Sequence, residues 1–297
     1  MKVLVIIVSY NFERWIDRCL GSLRQSEYPV DVMVIDNASQ DHTLQCIRNN
    51  YPEVRLIESN TNLGFGRANN LGMKIAVEER YEAVFLLNQD AWISPDVIGT
   101  LVDLLQRNPE YGILSPVHLT GKGDKTDPGF SDYTDIVRRE QQPEDVPICC
   151  IPFLNAAFWM IPTTVLTQIG GFCPLFYHYG EDKDFVNRLH FQHYKVGYCP
   201  TIFGHHDREY RPMTPAVFLR TESVYHLSEL ANVHYNGLQA FAYGVLAVAK
   251  KALQNFFSGK FYLCLDYLNM TFKLCMRYRE ASSFRKKNRI SNPHYIQ

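Results

Sequence analysis

Among its eight cysteines the sequence contains no Cys-x-x-Cys pair: Cys19, Cys46, Cys149, Cys150, Cys173, Cys199, Cys264 and Cys275 are scattered along 297 residues. That spacing argues against a disulfide scaffold and for reduced thiols in a cytosolic protein. No stretch reaches the roughly 18–20 uninterrupted apolar residues that a spanning helix requires. Gly237 to Ala249 is too short, and Phe261 to Met276 is broken by Asp266 and Lys273. The opening run Val3 to Val8 is too short for a secretory signal and ends in a polar Ser-Tyr-Asn turn. Net charge is almost absent: a formal −1 argues against a general polyanion binder, and so against a nucleic-acid partner. Glycine is missing from Ser9-Tyr10-Asn11-Phe12-Glu13-Arg14-Trp15, where an NAD enzyme or a sugar-nucleotide-forming enzyme needs a glycine-rich phosphate loop after its first strand. Internal repeats and low-complexity tracts are lacking as well.

What is present suffices for a large core: 46% hydrophobic residues, with 18 Tyr and 18 Phe, in a length that suits one main α/β domain with an appendage. Val3 to Val8 is β-branched and does not alternate, as in a strand buried on both faces of a parallel sheet. Asn11 is positioned to cap a helix through Trp15, Ile16, Cys19, Leu20 and Leu23. Strands follow at Val30 to Ile35, Val54 to Ile57 and Ala83 to Leu87, with helices from Asp41, from Arg67 to Glu79 and from Asp96 to Gln106. This succession of strand-then-helix units predicts a doubly wound, mostly parallel, Rossmann-like sheet flanked by helices, with ligands at the carboxyl ends of its strands.

Residues 118–147 lose that order under Gly121, Gly123, Pro128, Gly129, Pro143 and Pro147, and read as a mobile loop over the site. Strand character resumes from Ile148 to Ile161, Ile169-Gly170-Gly171-Phe172 turns, and Glu181 to Phe191 is helical. From Pro215 onward three mainly helical pieces are expected, which divides the chain into a catalytic unit, residues 1–213, and a helical, basic extension, residues 214–297. Residues 246–297 carry ten Lys or Arg against Asp266 and Glu280, leaving −9 on the first 245 residues.

Clusters of polar residues at the strand ends carry the candidate chemistry. Ser9, Tyr10 and Asn11 face Asp36, Asn37 and Ser39 across two neighbouring strands. Tyr10 suits the wall of a pyrimidine base and Asp36 an acceptor for its ring N–H, although Asp36 and Asp41 would equally cap helices. Asn62, Gly64, Phe65 and Arg67 lie in a loop feeding a helix, where glycine lets backbone approach phosphates and Arg67 is available to a diphosphate. Asn88, Gln89 and Asp90 end an apolar strand, and a carboxylate at a rigid strand tip suits Mg²⁺ or Mn²⁺ bridging phosphate oxygens. In Phe176-Tyr177-His178-Tyr179-Gly180 and the residues that follow, Glu181, Asp182 and Asp184 crowd together at a helix start, where the dipole favours them. His205 and His206 follow a short apolar strand, and either imidazole is suited to complete a metal shell. Trp159 is a candidate acceptor platform, with core packing the simpler role.

Taken in order, Val8-Ser9-Tyr10-Asn11, Val34-Ile35-Asp36-Asn37-Ala38-Ser39, Asn62-Leu63-Gly64-Phe65, Asn88-Gln89-Asp90, Gly170-Gly171-Phe172 and Tyr179-Gly180-Glu181-Asp182 resemble the motifs of family 2 glycosyltransferases. Within that family the chain is similar to bacterial rhamnosyltransferases, over residues 3 to about 210. The resemblance implies a GT-A fold and an inverting transfer from a dTDP- or UDP-linked sugar to a hydroxyl of a saccharide or lipid-linked saccharide in cell-surface polysaccharide synthesis. By position it implies Tyr10 and Asp36 at the base, Asp90 as the last residue of the DxD element, Asp182 as catalytic base with Glu181 as its understudy, and a histidine of the 205–206 pair beside metal and diphosphate. Asn88 stands where many members carry the first aspartate, so a weaker hold on the cation is expected. The basic tail, with Phe256, Phe257, Tyr262 and Leu263 among lysines, suits a helix lying on the inner face of the cell membrane. A catalytically silent nucleotide-sugar-binding subunit of a glycan assembly system is the competing class, and the Glu181-Asp182 pair argues against it.

Overall fold

The unalternating run at the amino terminus forms strand β1, Val3–Ser9, in the computed structural model of the chain. The structure describes every residue except 144, 178, 209–212 and 297. Alternate residues of β1 serve two cores: Val3, Val5 and Ile7 pack on one face of the sheet, Leu4 and Ile6 on the other. Burial on both faces is why the strand shows no polar alternation. Asp31–Asp36 (β2) and Ala83–Leu87 (β4) flank β1 in parallel, and Arg55–Glu58 (β3) pairs with β2. Helices Ile16–Arg24 (α1), Thr43–Asn50 (α2) and Phe65–Glu78 (α3) make the crossovers.

The second half of the sheet mixes directions. It is built from Ala91–Ile93 (β5), Tyr111–Thr120 (β6), Cys149–Cys150 (β7), Phe158–Pro162 (β8) and Lys195–His206 (β9). The full order is β3-β2-β1-β4-β8-β6-β9-β5, with β7 on β9; β8 runs antiparallel to both β4 and β6, whereas β6 and β9 are parallel. Helices Val97–Arg107 (α4), Pro128–Thr134 (α5), Thr163–Ile169 (α6) and Glu181–Phe191 (α7) complete this part. Three helical pieces follow, as expected: Pro215–Ala231 (α8); Gly237–Phe241 (α9), running through a π turn at Ala242–Leu246 into Ala247–Phe257 (α10); and Phe261–Lys287 (α11). They bury a third cluster that includes Leu230, Val248, Tyr267 and Leu274. Among the described residues no helix is long and apolar enough to cross a membrane.

Two local expectations are corrected. Asn11 does not cap α1, which begins at Ile16; it takes a positive φ of 53° and its Oδ1 accepts the Gln40 N–H at 2.9 Å, tying the loops after β1 and β2 together. Residues 118–147, read as a mobile loop, are ordered by burial in their first part, 118–134: His118 is inside β6, Phe130 is fully buried, and Asp127 caps α5 through the amides of Gly129 and Phe130. Trp159 is fully buried, stacked near Phe172 and Phe185, and so belongs to the core.

Candidate active site

Sheet order 3-2-1-4 puts the chain reversal between β1 and β4, where an open α/β sheet forms its ligand crevice. A cleft of about 390 Å³ lies there, lined by Ser9, Tyr10, Asn37, Asn62, Gly64, Phe65, Asn88, Gln89 and Asp90, and by Tyr177 and Arg220 from later in the chain. The two strand ends are clamped by reciprocal bonds, Tyr10 N–H to Gln89 Oε1 at 2.8 Å and Gln89 Nε2 to Tyr10 O at 3.2 Å. Gln89 therefore fixes the floor of the cleft as well as facing it.

Asp36 is 1% exposed and lies beneath this floor: its Oδ1 accepts the Ser9 hydroxyl at 2.8 Å and its Oδ2 the Ser39 amide at 2.9 Å. The Ser39 hydroxyl also accepts from the Asn11 amide, at 2.9 Å. Asp36, Ser39 and Asn11 thus shape the loop, while Asn37 supplies the cleft wall beside them and accepts the Leu63 N–H at 3.2 Å. On the opposite rim, Gly64 has φ 78°, and a Cβ there would lie 2.7 Å from the Tyr177 carbonyl, so only glycine fits. Arg67 sits on α3, exposed and outside the cleft lining. The arginine that does line it is Arg220 of α8, unmarked by any local pattern in the sequence.

Adjacent residues of a strand point to opposite faces, and β9 separates its two histidines that way. His206 turns inward, Nε2 at 3.3 Å from Asp90 Oδ1 and 3.4 Å from Asn88 Nδ2. His205 pairs opposite Trp92 and stacks on that ring at 5.5 Å between centroids, away from Asp90. Only one histidine of the pair thus joins the strand-tip residues. Behind it stand two groups that the motif reading passed over, Asp127 at the cap of α5 and Arg208, which follows β9. Among the described residues no three His, Cys, Asp or Glu side chains form a metal cage by themselves.

The acidic cluster at the start of α7 divides by function. Asp184 forms a buried ion pair with Arg188 at 2.8 Å, and Arg188 also donates to the carbonyls of Ile169 and Gly171, so this carboxylate serves the fold. Glu181 is 6% exposed; burial first, and the neighbouring Asp182 second, push its carboxyl up to about 7. Asp182 is raised above the usual carboxylate range by burial, opposed by hydrogen bonds from the Lys183 and its own amides and by the charges of Arg208 and Lys183. Its Oδ1 accepts the Lys183 N–H at 2.8 Å. His178, between Tyr177 and Tyr179, lies outside the described residues.

The family model for glycosyl transferase family 2 matches residues 4–166. Among curated proteins, the N-acetylglucosaminyl-diphospho-decaprenol L-rhamnosyltransferase of Mycobacterium tuberculosis is 28% identical over 215 residues, 62% of this chain and 69% of that protein. Among solved structures, Staphylococcus aureus TarS in complex with UDP-GlcNAc superposes with a TM-score of 0.58 at 16% identity, covering 96% of this chain and 84% of that one. The mannosyltransferase PcManGT of Pyrobaculum calidifontis, in complex with GDP-Man and Mn²⁺, gives 0.58 at 18% identity, covering 97% and 86%. Identities this low establish the fold, which is GT-A. With more than half of the chain inside the family match, and the strand-end cleft built from the same segments, the protein is a glycosyltransferase of family 2.

Proposed function

We propose that this enzyme moves a hexosyl or deoxyhexosyl group, with inversion, from a dTDP- or UDP-linked sugar to a hydroxyl of a saccharide or lipid-linked saccharide in cell-surface polysaccharide synthesis. The observation that carries the reading is the juxtaposition of Asp90, which lines the β1/β4 cleft, with the buried His206. Their 3.3 Å separation is close to the roughly 3 Å between adjacent ligands on one octahedral ion. The His206 imidazole, the Asp90 carboxylate and the Asn88 amide would hold such a cation, a donor set suited to Mg²⁺ or, with its nitrogen, better to Mn²⁺. When bound, the cation offsets the negative charge that grows on the leaving diphosphate.

The chain's own residues supply the remainder. Tyr10 and Asn37 line the nucleotide end of the cleft, above the Asp36 and Ser39 support. We assign the cation facing the diphosphate to Arg220, which lines the cleft, in preference to Arg67, which does not. Asp182 takes the proton of the attacking hydroxyl, for which its carboxyl must be ionised; burial works against that, and hydrogen bonds from the Lys183 and its own amides, with the charges of Arg208 and Lys183, work for it. Glu181, whose carboxyl burial pushes up to about 7, is its understudy. Residues 1–213 are read as the catalytic unit and residues 214–297 as an extension whose α8 reaches back over the cleft.

That extension has a second apolar face. Phe261, Leu265, Leu268, Phe272 and Met276 are exposed on α11 opposite its buried Tyr267 and Leu274; Phe256 joins them through its ring contact with Phe261, Phe257 and the 89% exposed Tyr262 are exposed as well, and the same stretch of chain carries the exposed Lys250, Lys260 and Lys273. An aromatic patch bordered by lysines suits the surface of an anionic bilayer, where a peripheral cytoplasmic enzyme would meet a lipid-linked acceptor.

The test is thermal stabilisation of the protein by UDP, dTDP and GDP with and without Mn²⁺, followed by turnover of Asp182→Asn with the preferred donor. Nucleotide-dependent stabilisation enhanced by Mn²⁺, and a loss of about 10²–10⁴-fold in turnover with donor binding kept, are expected. Near-normal turnover of Asp182→Asn would refute the assignment of the base. Co-sedimentation with phosphatidylglycerol vesicles, lost in Phe257→Ser/Phe272→Ser, tests the membrane face.

A further inference from the structure

Asp127 presents an unusual combination. It is 1% exposed, its Oδ1 is fully engaged in capping α5, and its Oδ2 has no hydrogen-bond partner among the described residues. A carboxylate oxygen buried in that condition is costly unless a neighbour needs it. Two neighbours are close: His206 Nδ1 at 3.6 Å and Arg208 Nε at 3.4 Å. His206 thus lies between two carboxylates, with Nε2 turned to Asp90 and Nδ1 turned to Asp127.

We propose that Asp127 is a positioning residue for the cation site: it fixes the His206 ring and holds its proton on Nδ1, so that the Nε2 lone pair faces the space beside Asp90. The inference rests on the reading of Asp90 and His206 as the cation-holding pair. A neutral imidazole has one N–H and one lone pair, and the nitrogen that ligates is decided by the bond its other nitrogen makes. Arg208 Nε–H donates to the same Nδ1 at 3.3 Å, a bond that favours the opposite tautomer. Asp127 resolves this competition because it can accept from both the ring Nδ1–H and the Arg208 Nε–H, whereas Arg208 can only donate. It also places a second carboxylate beside the ring, on its Nδ1 side.

Asp127→Asn and Asp127→Ser test this, since both side chains keep a cap acceptor for the α5 amides while removing the carboxylate. Three readouts on the full chain are needed: thermal unfolding, Mn²⁺ affinity from electron paramagnetic resonance titration with UDP present, and the His206 tautomer from imidazole ¹⁵N shifts, assigned by comparison with His206→Ala. Expected are near-unchanged melting temperatures, a loss of about 10- to 100-fold in Mn²⁺ affinity, the usual cost of removing such an outer partner, and transfer of the ring proton from Nδ1 toward Nε2. Unchanged Mn²⁺ affinity in both variants, with His206→Ala still weakening it, would overturn the role of Asp127 alone. If His206→Ala leaves Mn²⁺ affinity unchanged, the assignment of the cation pair is what fails, and this inference falls with it.

Discussion

Replacing Glu181 by Gln should make the protein more stable at pH 8 and leave it nearly unchanged at pH 4. The wild-type carboxyl titrates near 7 when folded, against an ordinary value of 4.5, because it is buried and stands beside Asp182. Its folded value is raised, so the favourable contribution of the protonated acid is complete below about 4.5 and is lost as pH rises through about 7. At ~1.4 kcal/mol for each pH unit between the two values, the loss approaches roughly 3 kcal/mol at pH 8. Glutamine reproduces the shape and neutrality of the protonated acid and cannot ionise, so the variant escapes this loss. Urea unfolding at pH 4, 5, 6, 7 and 8 measures it. With a slope of about 2–3 kcal/mol per M urea, the variant's midpoint should exceed that of the wild type by roughly 1 M at pH 8, a gap that closes toward pH 4. Histidines titrate in both proteins and cancel in the comparison. A gap that did not depend on pH would refute the reasoning, because it would mean that Glu181 is not kept neutral by the fold.

Three further expectations follow from the site. Arg208→Gln removes a cation that opposes the raising of Asp182 by burial; Asp182 then ionises at higher pH, and with Asp182 as the proposed base the acidic limb of the kcat/KM profile should move to higher pH. Arg220→Ala should raise the donor KM by about 10- to 100-fold, the worth of a bond to a charged group, while leaving nucleoside binding intact, and Arg67→Ala should change neither; steady-state kinetics with the sugar nucleotide separate the two arginines. Gly64→Ala forces a Cβ to within 2.7 Å of the Tyr177 carbonyl at a φ of 78°, and should cost about 1–3 kcal/mol in urea unfolding.

The elements that sequence periodicity reveals best are those with one unambiguous environment. β4 and α7 occupy the spans their patterns suggest, Ala83–Leu87 and Glu181–Phe191, because an apolar run between turn residues and an acidic first turn have few other solutions. β6 escaped notice although nine of its ten residues are buried: it carries Gly112, Ser115, Pro116 and His118, and the two polar side chains bond each other inside, the Ser115 hydroxyl with His118 Nε2 at 2.8 Å. Composition cannot separate such a strand from a loop. The candidate site was legible where residues cluster in sequence and illegible where they meet only in space. Asn88, Gln89 and Asp90 stand together at a strand tip, whereas Asp127 looked like one more loop acid and Arg220 belongs to a helix more than a hundred residues beyond the strands it faces. The histidine pair illustrates a finer limit. That one ring must turn away from the other follows from strand geometry, but which one faces Asp90 depends on the register of β9 against β5.

The helices after residue 214 are tied to the sheet, and this changes how their role has to be approached. The chain after α11 returns to the sheet: the Gly171 amide donates to the His294 carbonyl at 2.8 Å, the Asn292 amide to Gln168 O at 2.8 Å, and Ile296 is buried in the core on the β1 face that holds Leu4 and Ile6. Gly171 and Phe172 are in turn held by Asn70 of α3, whose Oδ1 accepts the Phe172 amide at 2.6 Å and whose Nδ2 donates to Phe172 O at 2.8 Å. Phe172 packs on Phe65, in the first turn of that helix and on the rim of the cleft. From the other side, Lys183 of α7 bonds Glu229 of α8 at 2.7 Å, next in sequence to Asp182. Deleting the residues beyond 246 would therefore remove a piece of the main core and loosen the support of the donor cleft, so a loss of vesicle binding or activity after truncation would not distinguish a membrane anchor from a damaged enzyme. Substitutions confined to the exposed face of α10 and α11 leave those tethers intact, and any change they cause in binding to vesicles belongs to that face.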